Sequence, residues 1–182
     1  KKSTMLDAMC QCIEAIWSVN TNEKCRGYAQ TGLQLIIDNI LLYLKGDRES
    51  FKKMMKAANL SGKAINISQT TAAHAMSYEL TSMYGISHGH AVSLCLPEVW
   101  RFMLDNMDKK APGITDAHIR DALNIYKTVF GINTANDLDV LEQFEFMLNL
   151  IGLDTPELKD KADIEVLTDS VNPIRLGNNP IV

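Results

Sequence analysis

Residue types that bind transition metals or carry protons fall in a restricted pattern in this chain. Asp7 and Gln11 lie four residues apart, so on a helix both side chains project from one face, one turn above the other, and can share a ligand. His74 stands in Thr70-Thr71-Ala72-Ala73-His74-Ala75, and His88 in Gly85-Ile86-Ser87-His88-Gly89-His90. Imidazoles flanked by such small residues leave room for an ion or a substrate, and one carboxylate with imidazoles suits Zn2+ or Fe2+. Each feature also has a plainer explanation. Thr4-Met5-Leu6-Asp7 has the spacing of a capping box, which would turn Asp7 back to the helix start. A single histidine amid apolar residues is most often a hydrogen-bonded core residue. His90 lies two residues beyond His88 and points elsewhere on a helix, so only a non-helical turn would bring both to one ion. His118, at the polar start of a later helix, reads as ordinary surface.

Helices must position these groups, because apolar residues recur at helical spacing almost throughout and no alternating run is long enough for a strand. The expected fold class is all-α. A first helix from about Thr4, ending before Asn20, carries Met5, Met9, Ile13, Ile16 and Trp17 on its buried side. A second is expected from about Glu23 to Leu44, stopped by Gly46, and a third from about Ser50 with Phe51, Met54, Met55, Ala58 and Leu60. Thr115 and Asn136 read as starts of later helices, the second ending at Gly152, and Thr155-Pro156-Glu157 as a further start. Val171 to Val182, rich in Pro, Gly and Asn, is expected to be irregular. Of the 34 residues from Ala64 to Pro97 only Glu79 is formally charged, yet three of the four histidines fall there. A segment so poor in charge should be buried, and buried imidazoles need hydrogen bonds or an ion.

The 182 residues amount to one domain with a sizeable core. Eighteen Lys and Arg against twenty-two Asp and Glu leave a net charge of −4, without the basic field that nucleic-acid binding requires. At 46% hydrophobic and 22% charged, the composition excludes disorder. Asp38 interrupts the longest apolar stretch, so no membrane span is expected. Cys10, Cys12, Cys25 and Cys95 form no CxxC pair, and no signal-peptide pattern is present, as in a cytoplasmic protein with reduced thiols.

With these residues in view, Asp7-Ala8-Met9-Cys10-Gln11-Cys12-Ile13-Glu14-Ala15 resembles the Asp-Ala-x-x-His-Ala-x-Glu segment of the iron-containing (group III) alcohol dehydrogenase family. His74-Ala75 resembles that family's next ligand segment and His88-Gly89 its Pro-His-Gly segment, with matching gaps of 67 and 14 residues. The resemblance implies the all-helical C-terminal domain of a dehydroquinate-synthase-like fold over residues 1–182, preceded in the full-length enzyme by a nucleotide-binding domain. That domain is expected outside this stretch, which has no GxGxxG and no βα alternation. It also implies metal ligation by Asp7, His74 and His88, a divalent Fe2+ or Zn2+, and hydride transfer with NAD(P)H between a small aldehyde and its alcohol. A homodimer is implied for the full-length form.

Two departures from the family pattern concern the site. Where the family offers a fourth ligand, a histidine, this chain has Gln11, a neutral and weaker donor. Gln11 still coordinates, or water takes its place, or His90 compensates. Tyr78 stands where many members have a further histidine, and its phenol could donate to the substrate oxygen, or it is a core tyrosine. Gln11-Cys12-Ile13-Glu14, Trp17-Ser18-Val19-Asn20, Ala58 to Asn66 and His88 to Val92 resemble the branch that reduces phosphonoacetaldehyde. If the third helix continues, Lys63, Asn66 and Thr70 share a face that could hold a phosphonate, unless Lys63 is simply a solvated lysine. Two rival readings stand beside the dehydrogenase: a metal-free helical binding or scaffold module, which Gln11 favours, and a metal-dependent lyase or synthase on the same fold.

Overall fold

The computed structural model describes residues 1–157 and 160–182. Its elements are α1 (Lys2–Trp17), α2 (Glu23–Lys45), α3 (Arg48–Ser68), α4 (Ala72–Tyr84), α5 (His88–Asp105), α6 (Asp116–Phe130), α7 (Leu138–Ile151), α8 (Ala162–Asp169) and α9 (Pro173–Leu176). Among the described residues the one β contact is an isolated antiparallel bridge between Lys110 and Ile181, so the molecule is all-α as expected.

α1 is the axis of the fold. Met5, Leu6, Ala8, Met9, Cys10, Cys12, Ile13, Ala15, Ile16 and Trp17 are all buried, which places apolar atoms on every side of the helix. Such a helix is stable only when surrounded, and α2, α3 and α5 surround it. At its end Trp17 meets Trp100 of α5 and Tyr126 of α6 edge-on, with ring centroids 5.5 and 6.1 Å apart. The Tyr126 hydroxyl donates to the Ile13 carbonyl at 2.8 Å, so the aromatic cluster is hydrogen-bonded to the helix it packs on.

Local signals in the sequence fix most boundaries. Asn22 accepts from the Cys25 amide at 2.9 Å to start α2. Gly46 ends it at φ 91°, a conformation costly for a residue with a Cβ. α3 begins two residues before Ser50, at Arg48, and Asp47 caps it by accepting from the Ser50 amide at 2.8 Å. Met54 of that helix is buried but Met55 is exposed. Thr115 starts α6 by accepting from the His118 amide at 3.2 Å. His118 itself is not free surface, because its Nε2 bonds the Trp17 carbonyl at 2.8 Å and ties α6 to the end of α1.

Three expectations need correction. α1 begins at Lys2 with no side-chain cap, so Thr4 and Asp7 lie inside the helix and form no capping box. Residues 153–157 carry no helix and the next one begins at Ala162. The rest of the helix expected from Thr155-Pro156-Glu157 falls on positions 158 and 159, outside the described residues. The tail is not irregular throughout. Asn172 accepts from the amides of Ile174 and Arg175 to start α9. Asn178, buried, donates to the Thr70 carbonyl at 3.0 Å, while its own carbonyl accepts from the Val19 amide at 3.0 Å. The last residues thus form a strap across the ends of α1 and α3.

Candidate metal centre

Asp7, Gln11 and Glu14 occupy i, i+4 and i+7 of α1 and form the polar stripe of a helix that is otherwise apolar from Met5 onward. α4 and α5 pack together, and α5 also packs on α1. This brings His74, in the first turn of α4, and His88, the first residue of α5, to the Asp7 end of that stripe. Gly89 makes the approach possible, because a Cβ there would lie 1.9 Å from the Ser3 carbonyl oxygen and 2.8 Å from the Asp7 amide. Asp7 Oδ1 is 3.4 Å from His74 Nε2 and 3.6 Å from His88 Nε2. All three donor atoms lie within 4.8 Å of one another.

Glu14 holds His74 in place. Its Oε1 accepts from the Thr71 hydroxyl at 2.8 Å and from the amides of Ala73 and His74 at 2.8 and 3.2 Å, while its Oε2 meets His74 Nδ1. A carboxylate from α1 therefore satisfies the free amides at the start of α4 and also binds the imidazole on the nitrogen away from the triad. That pairing fixes the ring and presents Nε2 to Asp7, the carboxylate–histidine arrangement that supports metal ligands. Burial disfavours the His74 imidazolium, but Glu14 and Asp7 together raise its pKa to about 9. Burial likewise opposes ionisation of Glu14, yet His74 outweighs it and lowers that pKa. Burial lowers the pKa of His88, with Asp7 opposing the shift and His74 and Arg175 reinforcing it. The role of Glu14 was readable in principle: a carboxylate two turns from Asp7 on a buried face must find a partner.

The donor set fits a divalent transition metal. Asp7 Oδ1 and His74 Nε2 are buried with no hydrogen-bond partner, a costly state unless an ion occupies the space between them. A tetrahedral Zn2+ with bonds of about 2.1 Å separates its ligands by about 3.4 Å, close to the spacings here. His88 is 36% exposed at its side chain, so the triad is open on one side, as a catalytic rather than a structural site requires. The cysteines take no part: all four are free and buried, and burial pushes the Cys95 thiol up to about 12 and the Cys10 and Cys12 thiols up as well.

Gln11 is engaged otherwise. Its Nε2 donates to Asp7 Oδ2 at 2.9 Å and its Oε1 accepts from the Ser61 hydroxyl at 2.9 Å. It thereby turns the free Oδ1 of Asp7 toward the histidines. His90 does not join the triad: α5 is helical from His88 onward, and His90 Nε2 is buried without a partner of its own. Tyr78 stands on the open side, 42% exposed, with its ring stacked on His88 at 5.3 Å.

Lys63, Asn66 and Thr70 do not share a face. α3 ends at Ser68, and Gln69 turns the chain at φ 60°, so Thr70 lies beyond the helix. α3 meets the triad region through Ser61; Lys63 is about 200° further round the helix and exposed, lying over the Tyr28 ring at 5.8 Å. Asn66 is exposed. Thr70 is buried and accepts a hydrogen bond from Arg175 Nη1. Arg175, which carries no role in the sequence analysis, places its guanidinium carbon 5.2 Å from the Tyr78 ring centroid.

Residues 1–155 match the model of the Fe-containing alcohol dehydrogenase family, C-terminal. The chain belongs to this family. A phosphonoacetaldehyde reductase of Streptomyces viridochromogenes is 27% identical over 97% of this chain and 45% of its own length. The iron-containing alcohol dehydrogenase of Thermotoga maritima superposes with a TM-score of 0.76 at 26% identity, covering 100% of this chain and 45% of that one. The sulfoacetaldehyde reductase of Bifidobacterium kashiwanohense, solved in complex with NAD+, gives 0.77 at 27% identity over 98% and 45%. The chain thus spans less than half the length of these relatives, and among its described residues the fold is all-helical. None of its helices, among the described residues, is long and apolar enough to cross a membrane.

Proposed function

We propose that this chain is the metal-binding half of an NAD(P)-dependent alcohol dehydrogenase that reduces a small aldehyde to an alcohol. The observation that carries the reading is the convergence of Asp7 Oδ1, His74 Nε2 and His88 Nε2 at one point, two of them buried without partners. In this reading Asp7, His74 and His88 hold a divalent Fe2+ or Zn2+, and Gln11 orients Asp7 in place of a fourth imidazole. Bound there, the metal supplies Lewis-acid polarisation of the substrate oxygen while the nicotinamide supplies hydride. Glu14 holds His74 through Nδ1 and so turns Nε2 toward the metal position, and Tyr78 lines the open side with its phenol available to the substrate oxygen. The nucleotide-binding half precedes this chain in a full-length, cytoplasmic homodimer. Phosphonoacetaldehyde is the finer substrate reading, supported by the Streptomyces relative.

Elemental analysis tests this on full-length protein purified without chelator or oxygen, beside His74→Ala treated identically. About one equivalent of iron or zinc in the parent, absent from the variant together with aldehyde reduction, is expected. A parent that holds no metal after reconstitution would sink the assignment and leave the metal-free helical module in its place, and a variant that keeps full activity would remove His74 from the metal site.

A further inference from the structure

We infer that Arg175 is the receptor for an acidic group on the substrate, so that the aldehyde handled at the triad carries an anion at its far end. The inference rests on reading the triad as the centre of aldehyde reduction. Its first support is placement. The guanidinium lies over Tyr78, and Tyr78 is stacked on His88, whose Nε2 is 3.6 Å from Asp7. The arginine is therefore one aromatic ring removed from the donor set, on the side where the site is open.

Its second support is that the charge is unanswered. No carboxylate pairs with Arg175 among the described residues. Its hydrogen-bond partner is the neutral hydroxyl of Thr70. Neither nearby carboxylate answers it: Asp7 belongs to the triad and accepts from Gln11, and Glu14 is bound to His74 and the start of α4. A guanidinium has five N–H donors in a planar fork, and the fork matches a phosphonate, sulfonate or carboxylate in a bidentate way. Arg175 uses one donor on Thr70 and keeps the others for a ligand.

The third support is rigidity. Asn172 caps the turn that carries Arg175, and three residues further on Asn178 is bonded to Thr70, Gln69 and Asn20. A cation held from both sides and from beneath by Tyr78 needs little ordering when an anion arrives. Lys63, the cation that the sequence pattern favoured for this task, lies on the outer side of α3 over Tyr28.

The test compares substrates of similar length in the full-length metal-loaded enzyme: phosphonoacetaldehyde, sulfoacetaldehyde and the uncharged propionaldehyde. Arg175→Met is expected to lower kcat/KM roughly 30- to 100-fold on both acidic aldehydes, chiefly through KM, and less than about threefold on propionaldehyde. Arg175→Lys, which keeps charge but not the fork, should recover part of the loss. A larger loss on phosphonoacetaldehyde than on sulfoacetaldehyde identifies the phosphonate as the natural group, and the reverse order the sulfonate. Equal losses on charged and uncharged aldehydes would make Arg175 a structural residue and overturn the inference while leaving the dehydrogenase intact. So would a parent enzyme that prefers propionaldehyde. A parent that reduces none of the three would overturn the dehydrogenase reading itself.

Discussion

The two sides of the candidate metal centre are built differently. On the inner side Glu14 and His74 are buried and bound to each other, and every oxygen of Glu14 is used. On the outer side His88, Tyr78 and Arg175 are partly exposed and meet through ring stacking and one hydrogen bond to Thr70. The inner side is part of the fold, because the same carboxylate that orients an imidazole also anchors the start of α4. The outer side can vary without unfolding the domain, so in the proposed reductase it is where substrate preference would be set. Substitutions on the inner side should therefore cost stability, and those on the outer side should change catalysis at nearly constant stability.

The largest effect is expected from Glu14→Ala. It leaves a buried imidazole without its partner and the amides of Ala73 and His74 unsatisfied at once. Breaking a buried pair from one side costs about 3–5 kcal/mol, and thermal unfolding of the metal-free protein should show a drop of that order. A variant with unchanged thermal stability would erase the distinction between the two sides.

The pair also gives the metal-free protein a pH dependence. The pKa of His74 is about 9 in the folded chain against an ordinary 6.5, so the stabilisation is complete below about 6.5 and is lost as pH rises through 9. The shift corresponds to at most about 3 kcal/mol. Denaturant midpoints of chelator-treated protein should fall across this window, and Glu14→Gln should flatten the fall. Metal uptake should strengthen over the same interval, because the ion must displace the proton of His74. A midpoint that rises between these pH values would mean that His74 is neutral when buried.

Much of this architecture was readable before the structure, and the limit falls where contacts become long-range. Gly46, Thr115 and Gly152 mark helix ends through bonds within a few residues, so their signals survive in the sequence. Asp7, His74 and His88 were found by type, flanking residues and family resemblance together. Glu14 stands in the sequence as the closing match of the first family segment, but its role is not legible there, because its partners lie 57 to 60 residues away, on a helix whose contact with α1 spacing does not reveal. The face assigned to Lys63, Asn66 and Thr70 assumed a helix that in fact stops at Ser68, where Gln69 adopts a positive φ that its residue type does not announce. Arg175 was invisible for a similar reason: a Pro- and Asn-rich tail looks irregular until its asparagines are seen to bond Thr70 and Val19.

Gln11 lies between the two sides and tests where one ends and the other begins. It donates to Asp7 and accepts from Ser61, so Gln11→Ala frees the carboxylate without opening a charge to the core. Loss of such a supporting bond lowers metal affinity about 10- to 100-fold, to be measured by competition with a chelator, with little change in the metal-free melting temperature. Gln11→His should instead tighten Zn2+ by offering a fourth imidazole. A histidine that weakens binding would show that the α3 side, at Ser61, cannot release the space.

The smallest effect belongs to the outermost ring. Tyr78→Phe keeps the plane stacked on His88 and the surface beneath Arg175, and removes one hydroxyl that is 42% exposed as part of its residue. Metal content and melting temperature should stay as they are. If the phenol donates to the substrate oxygen, kcat should fall by about five- to tenfold, the worth of one hydrogen bond of about 1 kcal/mol, equally for charged and uncharged aldehydes. That equality separates Tyr78 from Arg175, whose loss discriminates between them. An unchanged kcat would make the tyrosine a platform only, and the outer side would then owe its selectivity to the guanidinium above the ring.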